Sequence, residues 1–291
     1  MRPSDRIAWE TIIAYKTLLV HVDDSERCLR RVEAASRIAR DFAAELVGVY
    51  LVATPALAPS VSALLPEGIV TERLRESGEA QQQAEARFRE TAAMADVASV
   101  AWRAPAGDPV HAIVAHTRGA DLAVIGQPDP GDADTAFAVD LANAVILGAG
   151  RPVLVIPYIG AEGAIGSTAL IALDHSRESA RAVADALPFL ARASKVIVMS
   201  ITAAAEETLG DTQARAQVLA YLRGHGIDAE ARHLDLPGIA IGELLLSQAA
   251  DCGADLIVMG AYGHARFQEL VLGGVTRTLL DAMTVPVLMS H

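Results

Sequence analysis

The sequence predicts an α/β protein of two tandem three-layer sandwiches, each with a five-stranded, mostly parallel sheet between helices. The chain repeats itself once: KTLLVHVDDSERCLRRVEAASRIA matches STALIALDHSRESARAVADALPFL, so that Asp23 corresponds to Asp174, 151 residues later. Strand-like and helix-like segments alternate in both copies, which is typical of a parallel sheet with right-handed crossovers. Hydrophobic residues make up 52% of the chain but aromatic residues only 4%, which favours aliphatic strands buried on both faces.

The length of 291 residues suits two domains. We assign residues 1–157 to the first domain, 158–167 to a glycine-containing linker and 168–291 to the second domain. A second match, GADLAVIGQPDP against GADLIVMGAYGH, has an offset of only 134 residues. The first copy therefore carries about 17 extra residues, which we place near 53–70, a stretch rich in Pro, Ala and Ser. It reads either as a tolerated surface insertion or as a lid or partner contact.

Runs of Val, Leu and Ile predict the strands, and the amphipathic segments between them predict the helices. In the first copy the strands lie near 17–22, 45–52, 97–102, 121–125 and 153–156, and the helices near 25–42, 72–94, 108–118 and 136–147. In the second copy the strands lie near 168–173, 195–200, 229–234, 255–259 and 285–289, and the helices near 176–193, 205–225, 239–253 and 273–283. The apolar last strands, PVLVIP and PVLMS, are expected to pair across the two domains or across two chains, because exposed apolar edges aggregate.

Charge and composition argue against several classes of function. The formal net charge is −12 and no basic run occurs, which disfavours nucleic acids and anionic membranes. The two cysteines lack the spacing of a disulfide framework or a zinc site, and no HxH or HxxxH pattern is present, so we expect no metal site. The first residues lack the apolar core of a signal peptide and no apolar run would span a membrane, so we expect a cytoplasmic protein.

Glycine is concentrated in the stretch GAYGHARFQELVLGGVTRTLL. Gly260 and Gly263 follow a predicted strand, and Gly273 and Gly274 open the last predicted helix. A helix start offers unpaired N–H groups and a positive dipole end, and glycine lets a ligand approach the backbone. Ligands of such sheets bind at the carboxyl ends of strands, where Asp174 also lies. The pattern predicts a phosphate site; the alternative is that the glycines only form turns and permit close helix packing.

The spacing G-x2-G-x9-G of Gly260, Gly263 and Gly273 resembles the nucleotide motif of the universal stress protein family. The segments LDHSRESARAV and VPVLMSH and the tandem repeat strengthen the resemblance, which covers nearly the whole chain. It implies a Rossmann-like, adenine nucleotide alpha hydrolase-like fold and an ATP site in the second domain. A Mg²⁺ ion bound through the ATP phosphates is compatible with such a site, because Mg²⁺ commonly needs few protein ligands. The family usually has Ser or Thr directly after the third glycine, whereas this chain has Gly274.

The resemblance also implies roles for individual residues of the second domain. Adenine and ribose would be held by Asp174 and by the backbone of Ala172 and Leu173, beside Met259 and either Met199 or Ser200. The phosphates would be cradled by Gly260, Gly263, Gly273, Gly274, Val275 and Thr276.

The first copy departs from the motif. Gly126 corresponds to Gly260, but an aspartate-rich loop follows it, with Asp129 in the place of the second glycine and Val139 in the place of the third. Carboxylates would repel a triphosphate. We expect a structural or regulatory domain without nucleotide, in which Asp23 is a relic of the site.

The resemblance therefore favours a cytoplasmic stress-response protein that binds ATP in its C-terminal domain and regulates rather than catalyses. Its expected partners are an adenine nucleotide, its own second domain and a second copy in a homodimer, with no nucleic acid or membrane. Two alternatives stay open: a nucleotide-free dimerisation or interaction module, and a slow ATPase or nucleotidyl transferase. The sequence offers no nucleophile–base pair and no general base near Gly273 for the enzyme, so we name no catalytic residue.

Overall fold

The computed structural model describes residues 14–51, 66–131, 135–202, 209–235, 240–262 and 274–291. The N-terminal half contains β1 (Thr17–Val22), α1 (Cys28–Phe42), β2 (Glu45–Tyr50), α2 (Glu67–Met94), β3 (Ser99–Arg103), α3 (Pro109–Thr117), β4 (Leu122–Gly126), α4 (Thr135–Gly148) and β5 (Val153–Ile156). The C-terminal half contains β6 (Thr168–Leu173), α5 (Arg177–Asp185), α6 (Leu187–Leu190), β7 (Lys195–Thr202), α7 (Leu209–Gly224), β8 (Glu230–Asp235), α8 (Ile241–Asp251), β9 (Leu256–Gly260), α9 (Gly274–Ala282) and β10 (Val287–Ser290).

The ten strands form one sheet in the order β3-β2-β1-β4-β5-β10-β9-β6-β7-β8. Within each half all neighbours are parallel, and the strand order reverses between β1 and β4 and, equivalently, between β6 and β9. The halves meet where β5 and β10 pair antiparallel, with Leu154 opposite Leu288. The last strands thus pair within one chain, which was one of the two pairings expected from the sequence.

Each face of the sheet carries its own apolar layer. Helices α1, α2, α5, α6 and α7 cover one face, on which Leu18 and Ile171 are buried. Helices α3, α4, α8 and α9 cover the other face, on which Ile125 and Ile257 are buried. The predicted α/β class with aliphatic parallel strands is confirmed, and the two five-stranded sheets are continuous with each other.

Several element boundaries differ from the prediction, and three of the differences concern α2, α5 with α6, and β7. Helix α2 begins at Glu67, so residues 67–70 are helical rather than part of the predicted excursion, and residues 52–65 lie outside the described residues. The helix predicted over 176–193 is divided into α5 and α6, because Pro188 has no N–H to continue the α-helical hydrogen bonds. Strand β7 extends to Thr202, beyond the expected end. None of the helices in the described ranges is long and apolar enough to cross a membrane.

Candidate functional site

The reversal of strand order in the C-terminal half defines the region in which a ligand is expected. Register places Ala172 of β6 opposite Met259 of β9, so the carboxyl ends of these two strands meet at one edge of the sheet. Asp174 directly follows β6, and Gly260 is the last residue of β9. We call this edge, together with the start of α9 at Gly274, the β6/β9 site.

The turn after β6 is fixed by hydrogen bonds. Asp174 Oδ1 accepts from the backbone N–H of Ser176 at 3.0 Å and from its hydroxyl at 2.6 Å. Ser176 Oγ in turn accepts from the backbone N–H of Ser179 at 3.0 Å and caps α5. Asp174 is exposed, so the turn presents a carboxylate at the edge of the sheet that can accept hydrogen bonds from hydroxyl groups.

Three of the predicted adenine-site residues lie in one row across the sheet. Register places Met199 of β7 level with Ala172, and Ala172 level with Met259. All three lie on the face covered by α8 and α9, whereas Leu173 lies on the opposite face. Met199 is 1% exposed and Met259 5% exposed, so a base would reach this row only if the surrounding side chains moved.

Ser200, the alternative to Met199, faces the other way. It is level with Leu173, its Oγ accepts from Arg215 Nη1 of α7 at 2.9 Å, and it lies 3.0 Å from His233 Nδ1. Of the two candidates, Met199 therefore shares the face of Met259.

The described glycines of the motif differ in what surrounds them. A Cβ on Gly260 would lie 2.4 Å from Ser179 N and 2.7 Å from Glu178 C, so α5 packs directly on the end of β9. Glycine is needed there for packing, which was the alternative reading of the motif. A Cβ on Gly274 would have nothing within 4 Å among the described residues. Gly263 and Gly273 lie outside the described ranges.

The first turn of α9 changes from a residue without close described neighbours, Gly274, to a buried residue, Thr276. Val275 packs against the layer on the α8 and α9 side of the sheet, and Thr276 is only 2% exposed. Thr278 Oγ1 donates to the Gly274 carbonyl at 2.9 Å. A helix start carries amides without intrahelical partners and the positive end of the helix dipole, and both suit an anion. A phosphate contact from the inward-facing Thr276 stays a prediction.

The equivalent place in the N-terminal half, the β1/β4 site, has the same turn but different contents. Asp23 Oδ1 accepts from the backbone and hydroxyl of Ser25 at 3.0 and 2.6 Å. The buried Arg31 side chain donates from Nε to the His21 carbonyl at 2.7 Å and from Nη2 to Asp23 Oδ2 at 2.9 Å. Its Nη1 lies 2.5 Å from where a Cβ of Gly126 would be, so the guanidinium occupies the space between β1 and β4.

This buried cluster shifts the proton affinities of its members. Burial, and then the nearby Arg31, lowers the pKa of His21 to about 4. Burial alone would raise the pKa of Asp23, but Arg31, His21 and the hydrogen bonds from Ser25 hold it well below its ordinary value. At neutral pH the cluster therefore consists of an ionised carboxylate, a guanidinium and a neutral imidazole.

Asp129, which stands where the motif has its second glycine, is paired with a cation. It accepts from Arg27 Nε at 3.0 Å and from the Gly131 N–H at 2.9 Å, and these contacts lower its pKa, the Gly131 bond most. The loop after β4 is thus bonded through Asp129 to Arg27, the residue that precedes α1. Within the described ranges, no group of three or more His, Cys, Asp or Glu side chains is placed to hold a metal ion.

Comparison with known proteins accounts for this doubled arrangement. The model of the universal stress protein family matches residues 14–157 and 167–291. The chain belongs to the universal stress protein family. It therefore carries two copies of the family unit in tandem, and the recognition made from the glycine spacing and the repeat is confirmed.

Solved structures of the family share this fold. A universal stress protein from Archaeoglobus fulgidus DSM 4304 is 16% identical with a TM-score of 0.72, over 94% of this chain and 97% of that chain. A putative universal stress protein from Pseudomonas aeruginosa UCBPP-PA14 is 18% identical with a TM-score of 0.57, over 97% of this chain and 94% of that chain. A universal stress protein in complex with cAMP is 24% identical over 50% of this chain and 98% of that chain, with a TM-score of 0.34. No curated protein matches significantly.

Sequence reasoning missed the role of Arg31. The signal was present, because Arg31 lies among the inward-facing residues Cys28, Val32 and Ala35 of α1, where a charged residue needs a buried partner. The second copy of the repeat has Ala182 at the same position.

Proposed function

We propose that this universal stress protein binds ATP at the β6/β9 site and acts as a regulator rather than as a catalyst. In this proposal residues 168–291 form the nucleotide-binding domain, 158–167 the linker, and 1–157 a degenerate domain without nucleotide. Family membership supports a role in the stress response.

The observation that carries the proposal is the pairing of an open helix start with a fixed carboxylate. Helix α9 begins at Gly274, which has no described neighbour on its Cβ side, and Asp174 is held by its turn at the adjacent strand end. Backbone amides at a helix start suit phosphate oxygens, and a carboxylate suits ribose hydroxyls. Both ends of a nucleotide thus have suitable partners along one edge of the sheet.

Each site residue has a proposed part in the binding. The amides of Gly274 and Val275 would contact phosphate, Thr276 would support that turn, and Asp174 would accept from the ribose. The base would lie by the row of Ala172, Met199 and Met259, with the backbone at Leu173 beside it. Gly263 and Gly273 would allow the chain to pass close to the phosphates, and Gly260, whose Cβ side is filled by α5, would contribute only its backbone. Mg²⁺, if bound with ATP, would be held mainly by phosphate oxygens and water.

The contents of the β1/β4 site favour a single nucleotide site per chain, in the C-terminal half. Arg31 fills the β1/β4 site beside Gly126, whereas Ala182 stands at the equivalent position of α5 and leaves no long side chain to do so. Binding in the N-terminal half would require displacing a guanidinium that is paired with Asp23.

The test combines thermal unfolding with a phosphate-release assay. At a hundredfold excess over its dissociation constant, ATP adds about 2.7 kcal/mol to the free energy of unfolding. We expect that gain together with no multiple-turnover release of phosphate. An unchanged melting temperature at saturating ATP would instead support a nucleotide-free interaction module, and steady release of phosphate would support the slow ATPase.

A further inference from the structure

We propose that the N-terminal half holds the β6/β9 site in its binding geometry, through a hydrogen bond from Tyr262 to Asn143. The inference rests on the proposed ATP site and adds a positioning role for a half that has no nucleotide of its own. It concerns the two described ends of the glycine motif, namely Gly260–Tyr262 and the start of α9.

Tyr262 is held in a conformation that needs outside support. It follows Gly260 by two residues, and its φ of 61° lies in the left-handed region that side chains with a Cβ rarely adopt. Its hydroxyl donates to Asn143 Oδ1 at 2.9 Å. Its ring packs edge-on against the His291 ring, with the two ring centroids 6.1 Å apart, and His291 Nδ1 lies 3.0 Å from the Ala261 carbonyl oxygen. Backbone strain of this kind persists where surrounding contacts fix it.

The partner of Tyr262 belongs to the other half of the molecule. Asn143 lies on α4, which is the N-terminal counterpart of α9, and the bond joins residues 119 positions apart in sequence. It links the segment after β9 to the layer that covers β5, next to the β5–β10 pairing. The end of β9 is thus anchored on a helix that carries no part of the ATP site.

A second contact fixes α9 from the same half. Gln127 follows β4 and is only 5% exposed. Its Nε2 donates to the Leu280 carbonyl of α9 at 2.9 Å, and its Oε1 accepts from the Tyr158 N–H at 3.1 Å. Tyr262, beside the first glycine of the motif, and Leu280, in the last turn of α9, are therefore both bonded to the N-terminal half, one through Asn143 and one through Gln127.

These contacts matter for binding because a phosphate cradle works only when its amides are already in place. Ordering a loose backbone at the moment of binding lowers affinity, and supporting contacts remove that loss. The N-terminal half, with Arg31 filling its own site, would thus act as the rigid support of the other site.

The test compares two tyrosines whose hydroxyl groups each donate a hydrogen bond between the two halves, at opposite ends of the strands. Tyr262→Phe removes the hydroxyl bound to Asn143 and keeps the ring against His291. Tyr15→Phe removes a hydroxyl that also joins the two halves, since Tyr15 donates to the Asp185 carbonyl at 2.7 Å, but near the amino ends of the strands. We expect Tyr262→Phe to weaken ATP binding about fivefold in calorimetric titration, and Tyr15→Phe to leave it unchanged.

Two further readouts separate positioning from general destabilisation. Adding Asn143→Ala to Tyr262→Phe is expected to weaken ATP binding no further, because both changes remove one interaction. Without ATP, amide exchange at Gly260–Tyr262 and at the start of α9 is expected to accelerate in Tyr262→Phe and not in Tyr15→Phe.

The possible outcomes distinguish a failure of the positioning role from a failure of the proposed function. If the unmodified chain binds ATP and Tyr262→Phe binds it equally tightly, the positioning role is wrong and the proposed function stands. If the unmodified chain does not bind ATP, the proposed function is wrong, and amide exchange still decides whether the N-terminal half holds these segments. Equal acceleration of exchange in both variants would overturn the positioning role in either case.

Discussion

Asp23 and Asp174 accept the same pair of hydrogen bonds, from the backbone and hydroxyl of the serine two residues later, at 3.0 and 2.6 Å in both halves. The two copies have thus kept one turn and changed what lies beside it. Asp23 also accepts from the buried Arg31, whereas α5 has Ala182 at that position. The difference between the two sites lies in side chains, on a shared backbone.

Removing Arg31 should destabilise the fold more than removing the whole ion pair. Arg31→Met leaves the Asp23 carboxylate without its main partner, and breaking such a buried pair costs about 3–5 kcal/mol. The double variant Asp23→Asn and Arg31→Met is expected to recover at least half of that loss. Urea unfolding of the wild type, both single variants and the double variant gives the coupling energy. Strictly additive losses would contradict a buried, coupled pair.

The free energy of unfolding should fall in mild acid because of His21. Its pKa in the folded chain is about 4, against an ordinary value of 6.5, so between these values the unfolded chain binds a proton that the folded chain does not. The stabilising contribution of neutral His21 is complete above pH 6.5. Near pH 5 the free energy of unfolding is lower by about 2 kcal/mol. His21→Gln should remove that part of the slope in denaturant unfolding at several pH values. The lowered pKa of Asp23 adds its own loss of stability from about pH 5 downward, so the range above pH 5 reports His21.

Two glycines of the motif should respond oppositely to alanine. Gly260→Ala places a Cβ against the α5 backbone and is expected to cost about 1–3 kcal/mol of unfolding free energy or more. A Cβ in Gly274→Ala would have no neighbour within 4 Å among the described residues, so stability should stay within about 0.5 kcal/mol or rise slightly. Thermal and urea unfolding of the two variants check this. Equal losses would show that the start of α9 is as tightly packed as the end of β9.

A serine at position 274 should strengthen ATP binding. The family resemblance places a hydroxyl residue directly after the third glycine, and a hydrogen bond to a charged phosphate oxygen contributes about 1.5–3 kcal/mol. Gly274→Ser is therefore expected to lower the dissociation constant at least tenfold in calorimetric titration, with Gly274→Ala as the control for the added Cβ. If Ser and Ala variants bind alike, the phosphates do not approach this residue.

The order of strands and helices could be predicted because it depends on short-range patterns. Apolar runs, Ala- and Arg-rich helices and the Asp–Ser turns are each recognisable from a few neighbouring residues. The second copy of the repeat provided an independent check of each assignment. The aspartate at the carboxyl end of β6 and the glycine at the end of β9 could be placed on one edge from topology alone.

What the sequence could not predict are contacts between distant segments. The packing of α5 on Gly260, the guanidinium of Arg31 against Gly126 and the bond from Tyr262 to Asn143 all join residues far apart in the chain. The division of α5 from α6 was missed although Pro188 is visible in the sequence, because a helix-like pattern continues on both sides of it.

The most direct measurement of the central claim is the stoichiometry of ATP binding by the full chain in calorimetric titration. The account predicts one ATP per chain, with binding lost when Gly263 is replaced by a bulky residue and retained when Arg31 is replaced by Met. Two ATP molecules per chain, or a flat titration at millimolar ATP, would contradict it.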